Sequence, residues 1–242
     1  MKSAIIIPAR MASKRFPNKP MAKINGIPMI ERVWMQGVES KIGDVFVACC
    51  EEEVFNLISS KGGKAIMTKT NHPSGTDRIF EAYNKLENKN EYESIINLQG
   101  DMPLINPIIL DKVNLPLKYG YEIGTIGTDI SSDEKRNINI TKVKINWKKY
   151  DFVGNSIDFY KETISQKKNI YQHVGIYSFK PKTLKKFVSM KPSRNEIKRK
   201  LEQLRALDSG IKIGITYVEN VPISVDTIED LMLIENIIKN KK

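Results

Sequence analysis

Short apolar runs alternate with amphipathic stretches through the first half of the chain. Ser3–Ile7, Asp44–Ala48, Lys64–Met67, Ser94–Leu98 and Ile123–Ile130 are brief and apolar, which predicts strands. Pro28–Ser40, Glu51–Ser60, Gly75–Glu87 and Pro107–Tyr119 are longer and amphipathic, which predicts helices. This alternation predicts an α/β fold whose sheet is mixed and mostly parallel, with helices on both faces. The punctuation agrees. Ser74 stands where a cap for the third helix belongs, Asn106-Pro107 gives a cap followed by a proline in the first turn, and Gly62-Gly63 ends the second helix.

The pattern changes after about residue 135. Val143, Ile145 and Trp147 alternate with period two, a polar stretch runs to Lys168, and an apolar run follows at Val174–Phe179. An inserted antiparallel arm at roughly 136–180 is expected there. Beyond it, Pro181–Met190 and Arg194–Leu207 read as helices, Ile211–Val218 as a strand and Thr227–Lys239 as a closing helix. With no internal repeat and no obvious linker, the 242 residues are expected to form a single domain, 1–242, carrying that arm.

Composition narrows the chemistry. There is no run of 18 apolar residues, so no membrane span is expected. Met1–Pro8 reads as a buried first strand and not as a signal peptide, so a cytoplasmic location is expected. The two cysteines, Cys49 and Cys50, are adjacent, and the histidines are only His72 and His173. Sulfur- or imidazole-rich metal sites are thereby excluded, and any metal is expected to be a hard ion held by carboxylate oxygen. The net charge is +11, with +3 in residues 1–121 and +8 in 122–242, and Lys180–Lys200 holds nine basic residues against Glu196. A basic surface suits nucleic acid or phosphorylated small molecules, but this run lacks interleaved aromatics and reads equally as a solvated surface.

The loop after the first strand concentrates Arg10, Lys14, Arg15 and Lys19, with Ala9 and Ser13 small enough for backbone to approach a phosphate. It lies at the carboxyl end of a strand, where open α/β sheets bind ligands. Both GxxxxGK[ST] and GxGxxG are absent from it. Gln99-Gly100-Asp101 follows another strand, and Asp226 another apolar run, Val221–Val225. Taken alone, Asp101 and Asp226 read equally as turn or cap residues, Ser74 and Arg78 as a capped helix with an exposed arginine, His173 as a structural hydrogen bonder and Glu202 as a solvent-facing helix residue.

Six blocks in order change that weighting. They are Ile6-Ile7-Pro8-Ala9-Arg10 with Ser13, Arg15-Phe16-Pro17 and Lys19-Pro20; Ser74-Gly75-Thr76-Asp77-Arg78; Asn97-Leu98-Gln99-Gly100-Asp101-Met102-Pro103; His173-Val174-Gly175-Ile176-Tyr177; Leu201-Glu202-Gln203-Leu204-Arg205-Ala206-Leu207; and Val225-Asp226-Thr227-Ile228-Glu229-Asp230-Leu231. Over nearly its whole length the chain resembles the CMP-Kdo synthetases, the 3-deoxy-manno-octulosonate cytidylyltransferases. The resemblance implies a nucleotide-diphospho-sugar transferase-like fold, an arm that dimerises, and transfer of CMP from CTP to the acidic sugar Kdo with Mg²⁺. It implies CTP contacts from Ala9, Arg10, Ser13, Arg15, Lys19, Ser74, Arg78 and Gln99, and sugar contacts from Gln99, His173, Tyr177, Glu202 and Gln203. Asp101 and Asp226 would hold the metal and, with Lys19, carry catalysis. The expected partners are CTP, an acidic sugar and a second copy of the chain, with no nucleic acid. One block departs: where the family has Phe-Ser-Arg-x-x-Ile-Pro, this chain has Phe152-Val153-Gly154-Asn155-Ser156-Ile157-Asp158-Phe159-Tyr160-Lys161. The arginine and the prolines are missing, so a related or modified acidic sugar is the alternative acceptor, with Lys161 as a substitute charge. A nucleic-acid-binding module is the remote alternative.

Overall fold

The structure, a computed structural model, describes residues 1–12, 16–147, 152–163, 168–220 and 223–240. The strands in chain order are β1 (Ser3–Pro8), β2 (Lys23–Ile24), β3 (Ile27–Pro28), β4 (Gly43–Cys49), β5 (Lys64–Met67), β6 (Ser94–Asn97), β7 (Ile123–Thr128), β8 (Lys142–Asn146), β9 (Val153–Tyr160), β10 (Ile170–Phe179) and β11 (Ile213–Tyr217). The helices are α1 (Met29–Glu39), α2 (Glu52–Ser60), α3 (Gly75–Asn84), α4 (Pro107–Lys118), α5 (Ser132–Arg136), α6 (Pro181–Ser189), α7 (Arg194–Arg199), α8 (Leu204–Asp208) and α9 (Ile228–Asn240). The chain divides into two compact units, residues 1–110 with 222–242, and residues 111–221.

In the first unit β5, β4, β1 and β6 pair in that order, all parallel. Every residue of β6 is buried, and so is β1 apart from its last residue. Strands buried on both faces read as continuous apolar runs, and Ala4-Ile5-Ile6-Ile7 is one. Ser3 and Ser94 fit this interior because their hydroxyls bond each other at 2.8 Å. Helix α4 starts as its sequence predicts: the Asn106 side chain accepts the Ile108 N–H at 3.0 Å, ahead of Pro107 in the first turn. The closing helix α9 belongs to this unit. Its Ile234 is buried with Ile24, Met29 and Val225, and Phe16 and Leu104 pack against that cluster.

In the second unit β7 and β11 are parallel, while β10–β7, β11–β9 and β8–β9 are antiparallel. β8 also pairs antiparallel with β10, so these five strands close on themselves. The antiparallel pairing expected after residue 135 is thus present. The polar stretch before Lys168 contains β9, and Arg194–Leu207, expected as one helix, is two. α7 stops at Lys200, which is left-handed at φ 56°, and Gln203 precedes α8. Glu202 therefore lies in a turn and not inside a helix, a correction to its expected setting. Glu196 links the two helices. It completes a capping box with Ser193 and forms a fork with the Arg205 guanidinium at 2.5 Å.

Candidate functional site

A cavity of about 270 Å³ opens in the first unit where β1 and β6 end. Its lining includes Ala9, Arg10, Lys19, His72, Ser74, Arg78, Gln99, Asp101 and Asp226. Eight of the expected site residues thus share one cleft at the carboxyl edge of parallel strands, as the topology requires. Ser13, Lys14 and Arg15 lie outside the described residues.

Local chemistry sets each side chain. Ala9 is fixed by its N–H bond to Ala48 O at 2.8 Å. Asn18 N–H reaches Met11 O at 3.0 Å and closes the basic loop, and a 3₁₀ turn at Lys19–Met21 then presents Lys19. Gly100 is needed for close approach, because a Cβ there would stand 3.0 Å from Pro8 O.

Lys19 Nζ donates to Asp101 Oδ2 at 2.9 Å and to Val225 O at 2.7 Å, and lies 3.6 Å from Asp226 Oδ1. Val225 N–H in turn bonds Asp101 O at 2.9 Å, tying the two acidic loops together. One of the four cations of the basic loop is thus set against the protein's own carboxylates. The capping alternative for Asp226 is also settled: the Asp226 and Thr227 N–H groups both donate to Asp230 Oδ2 at 2.9 Å, while Thr227 Oγ1 accepts Asp230 N–H. Asp230 and Thr227 do the capping, and the Asp226 carboxylate turns to Lys19.

On the opposite flank of the sequence, Ser74 caps α3 by accepting Asp77 N–H at 3.2 Å. Arg78 is not the exposed arginine of the capped-helix alternative. It is 2% exposed, its Nη1 donates to Thr68 Oγ1 at 2.6 Å, and its buried Nη2 has no hydrogen-bond partner among the described residues. Gln99 Nε2 donates to Asn97 Oδ1 at 2.9 Å. Sequence reasoning passed over His72, which lines the cleft two residues before Ser74; its place beside that block was the available signal.

The other expected residues lie in the second unit. His173 and Tyr177 on β10 have ring centroids 5.4 Å apart, across a bulge between Val174 and Tyr177. His173 Nε2 meets Thr125 Oγ1 at 3.0 Å, and burial pushes its pKa down to about 3, so the ring is neutral. Burial pushes the Tyr177 phenol well up, with the Glu202 charge adding to it, so Glu202 lies within electrostatic reach of Tyr177. Gln203 is 9% exposed.

The donors at Asp101 and Asp226 suit a hard cation: two carboxylates already converge on one ammonium. No group of three or more His, Cys, Asp or Glu gathers among the described residues. Mg²⁺ fits such a set, since it takes one or two carboxylates and completes its shell with water and substrate phosphate.

A cleft carrying cations and carboxylates at the carboxyl edge of parallel strands suits an anionic ligand, and the fold around it is that of a nucleotide-diphospho-sugar transferase-like α/β protein. Comparisons agree. A solved structure of a CMP:2-keto-3-deoxy-manno-octonic acid synthetase complexed with CTP superposes with a TM-score of 0.91, at 31% identity over 100% of both chains. The cytidylyltransferase family matches residues 4–213. The 3-deoxy-manno-octulosonate cytidylyltransferase of Paramagnetospirillum magneticum is 41% identical over 94% of each chain, and that of Brucella anthropi 40% identical over 96% of this chain and 94% of its own. The chain belongs to the cytidylyltransferase family, among the 3-deoxy-manno-octulosonate cytidylyltransferases.

Proposed function

We propose that this chain transfers CMP from CTP to 3-deoxy-D-manno-octulosonate, releasing pyrophosphate, as a Mg²⁺-dependent enzyme. The observation that carries the reading is the convergence of Lys19, Asp101 and Asp226 in a cleft shared with Arg10, Ser74 and Arg78. A sugar hydroxyl oxygen forms the new bond to the α-phosphorus, and the bond to the pyrophosphate oxygen breaks. No side-chain nucleophile is required. The barrier is dominated by bringing an anionic acid to an anionic triphosphate, so the chain's task is positioning and charge neutralisation. Arg10 and Lys19 hold phosphate oxygens, with Ser13 and Arg15 assigned beside them by the family resemblance. Gln99, beside Asp101, is placed to serve nucleotide and sugar. Held by Asp101 and Asp226, Mg²⁺ supplies charge neutralisation at the phosphates.

His173, Tyr177, Glu202 and Gln203 are assigned to the sugar. A neutral imidazole and an un-ionised phenol are hydrogen-bonding groups suited to sugar hydroxyls. A related acidic sugar is the second reading, favoured by the altered block at 152–161. The exposed apolar residues of the second unit, Ile138, Phe152 and Ile157, support a homodimer, which sedimentation or light scattering checks. Among the described residues no helix is long and apolar enough to cross a membrane, and dependence on CTP supports a cytoplasmic site of action.

The test is pyrophosphate release from CTP with Mg²⁺ and, in turn, Kdo, 8-amino-Kdo, sialic acid and no sugar. Release with Kdo supports the reading. Release only with another acid keeps the mechanism and moves the specificity. Silence with all of them sinks the proposal.

A further inference from the structure

His72 lines the nucleotide cleft, and the proposed reaction gives it nothing to do. Its side chain is 15% exposed, and its Nε2 is in hydrogen-bond contact with Glu81 Oε2 on α3. Glu81 also accepts Lys69 N–H at 3.0 Å and pairs with Lys85 at 2.8 Å. Burial acts to raise the Glu81 pKa, but the bonds from Lys85, the Lys69 backbone and His72 outweigh it and bring it to about 2. An ionised carboxylate has no proton to give, so Nε2 must carry the one in this contact. In a neutral imidazole that leaves Nδ1 as an acceptor.

Six residues on, Arg78, which lines the same cleft, brings the complementary group: a buried Nη2 without a hydrogen-bond partner among the described residues. One acceptor and one donor therefore stand ready. Cytosine offers an exocyclic amino donor next to a ring-nitrogen acceptor. Uracil inverts both, with a carbonyl acceptor next to a ring N–H donor.

We propose that His72, its tautomer set by Glu81, is a specificity-determining residue that selects a cytosine nucleotide over a uracil nucleotide by accepting from the base's amino group. Arg78 supports the choice by donating to the adjacent ring nitrogen, an acceptor in cytosine and an N–H donor in uracil. This deepens the proposed function and rests on the cleft being a nucleotide site. A mispaired buried polar group makes the discrimination about 10- to 100-fold for one contact.

The test is calorimetric binding of CTP and UTP at pH 8 to the full chain and to His72→Phe and Glu81→Gln. The first variant keeps a ring and removes its nitrogens. The second leaves His72 in place and releases its tautomer. Expected is a wild-type preference for CTP of about tenfold or more, collapsing towards unity in His72→Phe and narrowing in Glu81→Gln. A merely structural His72 would weaken both nucleotides alike and leave the ratio unchanged. That result, with a wild type that prefers CTP, overturns the assignment of His72 alone. A wild type that binds neither nucleotide overturns the nucleotide reading of the cleft as well.

Discussion

Lys19 sits between two carboxylates that a triphosphate's counter-ions also need. Its ammonium neutralises Asp101 at 2.9 Å and stands 3.6 Å from Asp226, so the cleft sets one of its own cations against its two carboxylates. Removing Asp101 takes away a proposed ligand for the metal and the partner that places Lys19. Asp101→Ala is expected to lower pyrophosphate release by about 100-fold or more while leaving the fold intact, since Asp101 is part-exposed. Release within a few-fold of wild type would refute its role. His173 gives a second prediction at this scale. Its pKa is about 3 in the folded chain against an ordinary 6.5, so the unfolded state binds the extra proton between those values. The stability that comes from keeping the ring neutral is complete above pH 6.5 and is lost as pH falls towards 3, at up to about 1.4 kcal/mol per pH unit. Urea unfolding at pH 7 and pH 5 should show a smaller loss for His173→Gln than for wild type. Equal losses would mean that His173 is not the group that titrates.

Among the elements, the parallel unit was legible, while within the antiparallel part β9 and the break between α7 and α8 were not, for reasons visible in β9. Its buried positions include Gly154 and Ser156, while Ile157 is exposed, so the apolar alternation that marks a strand is inverted. Ser156 is tolerated inside because its hydroxyl donates to Ile213 O at 3.0 Å. Gly154 is there because β8 presses on it: an added Cβ would lie 2.3 Å from Ile145 Cγ2 and 2.6 Å from the Trp147 ring. Neither tertiary cause leaves a periodic trace in sequence. The end of α7 hid for a similar reason, with Lys200 holding the left-handed conformation that a glycine would have announced. By contrast β1, β6 and the cap of α4 were readable because propensity, burial and punctuation agreed. Gly154→Val is expected to lower stability by about 1–3 kcal/mol through overpacking, seen as a lower denaturant midpoint. An unchanged midpoint would show that the β8–β9 contact yields without cost.

Across the whole molecule, a net charge of +11 invites a nucleic-acid reading that the placement of the charges argues against. In Lys180–Lys200, α6 buries Thr183, Leu184 and Phe187 and sends Lys182, Lys185 and Lys186 to solvent. Arg199 is already paired with Asp158 at 2.7 Å. These are the solvated cations of an amphipathic helix, with no base-stacking aromatics among them. The cations that line the cleft are instead Arg10, Lys19 and Arg78, on the unit that also holds Asp101 and Asp226. Diffuse surface charge predicts weak polynucleotide binding, with a Kd of about 10⁻⁴–10⁻⁶ M at physiological salt and a steep fall as salt rises. It also predicts that Asp101→Ala leaves that binding unchanged while lowering turnover as above. Filter binding of a short RNA at two salt concentrations, run beside pyrophosphate release on both proteins, separates the two kinds of charge. Tight RNA binding that resisted salt and was altered by Asp101→Ala would assign the cleft to the polynucleotide and take it away from CTP.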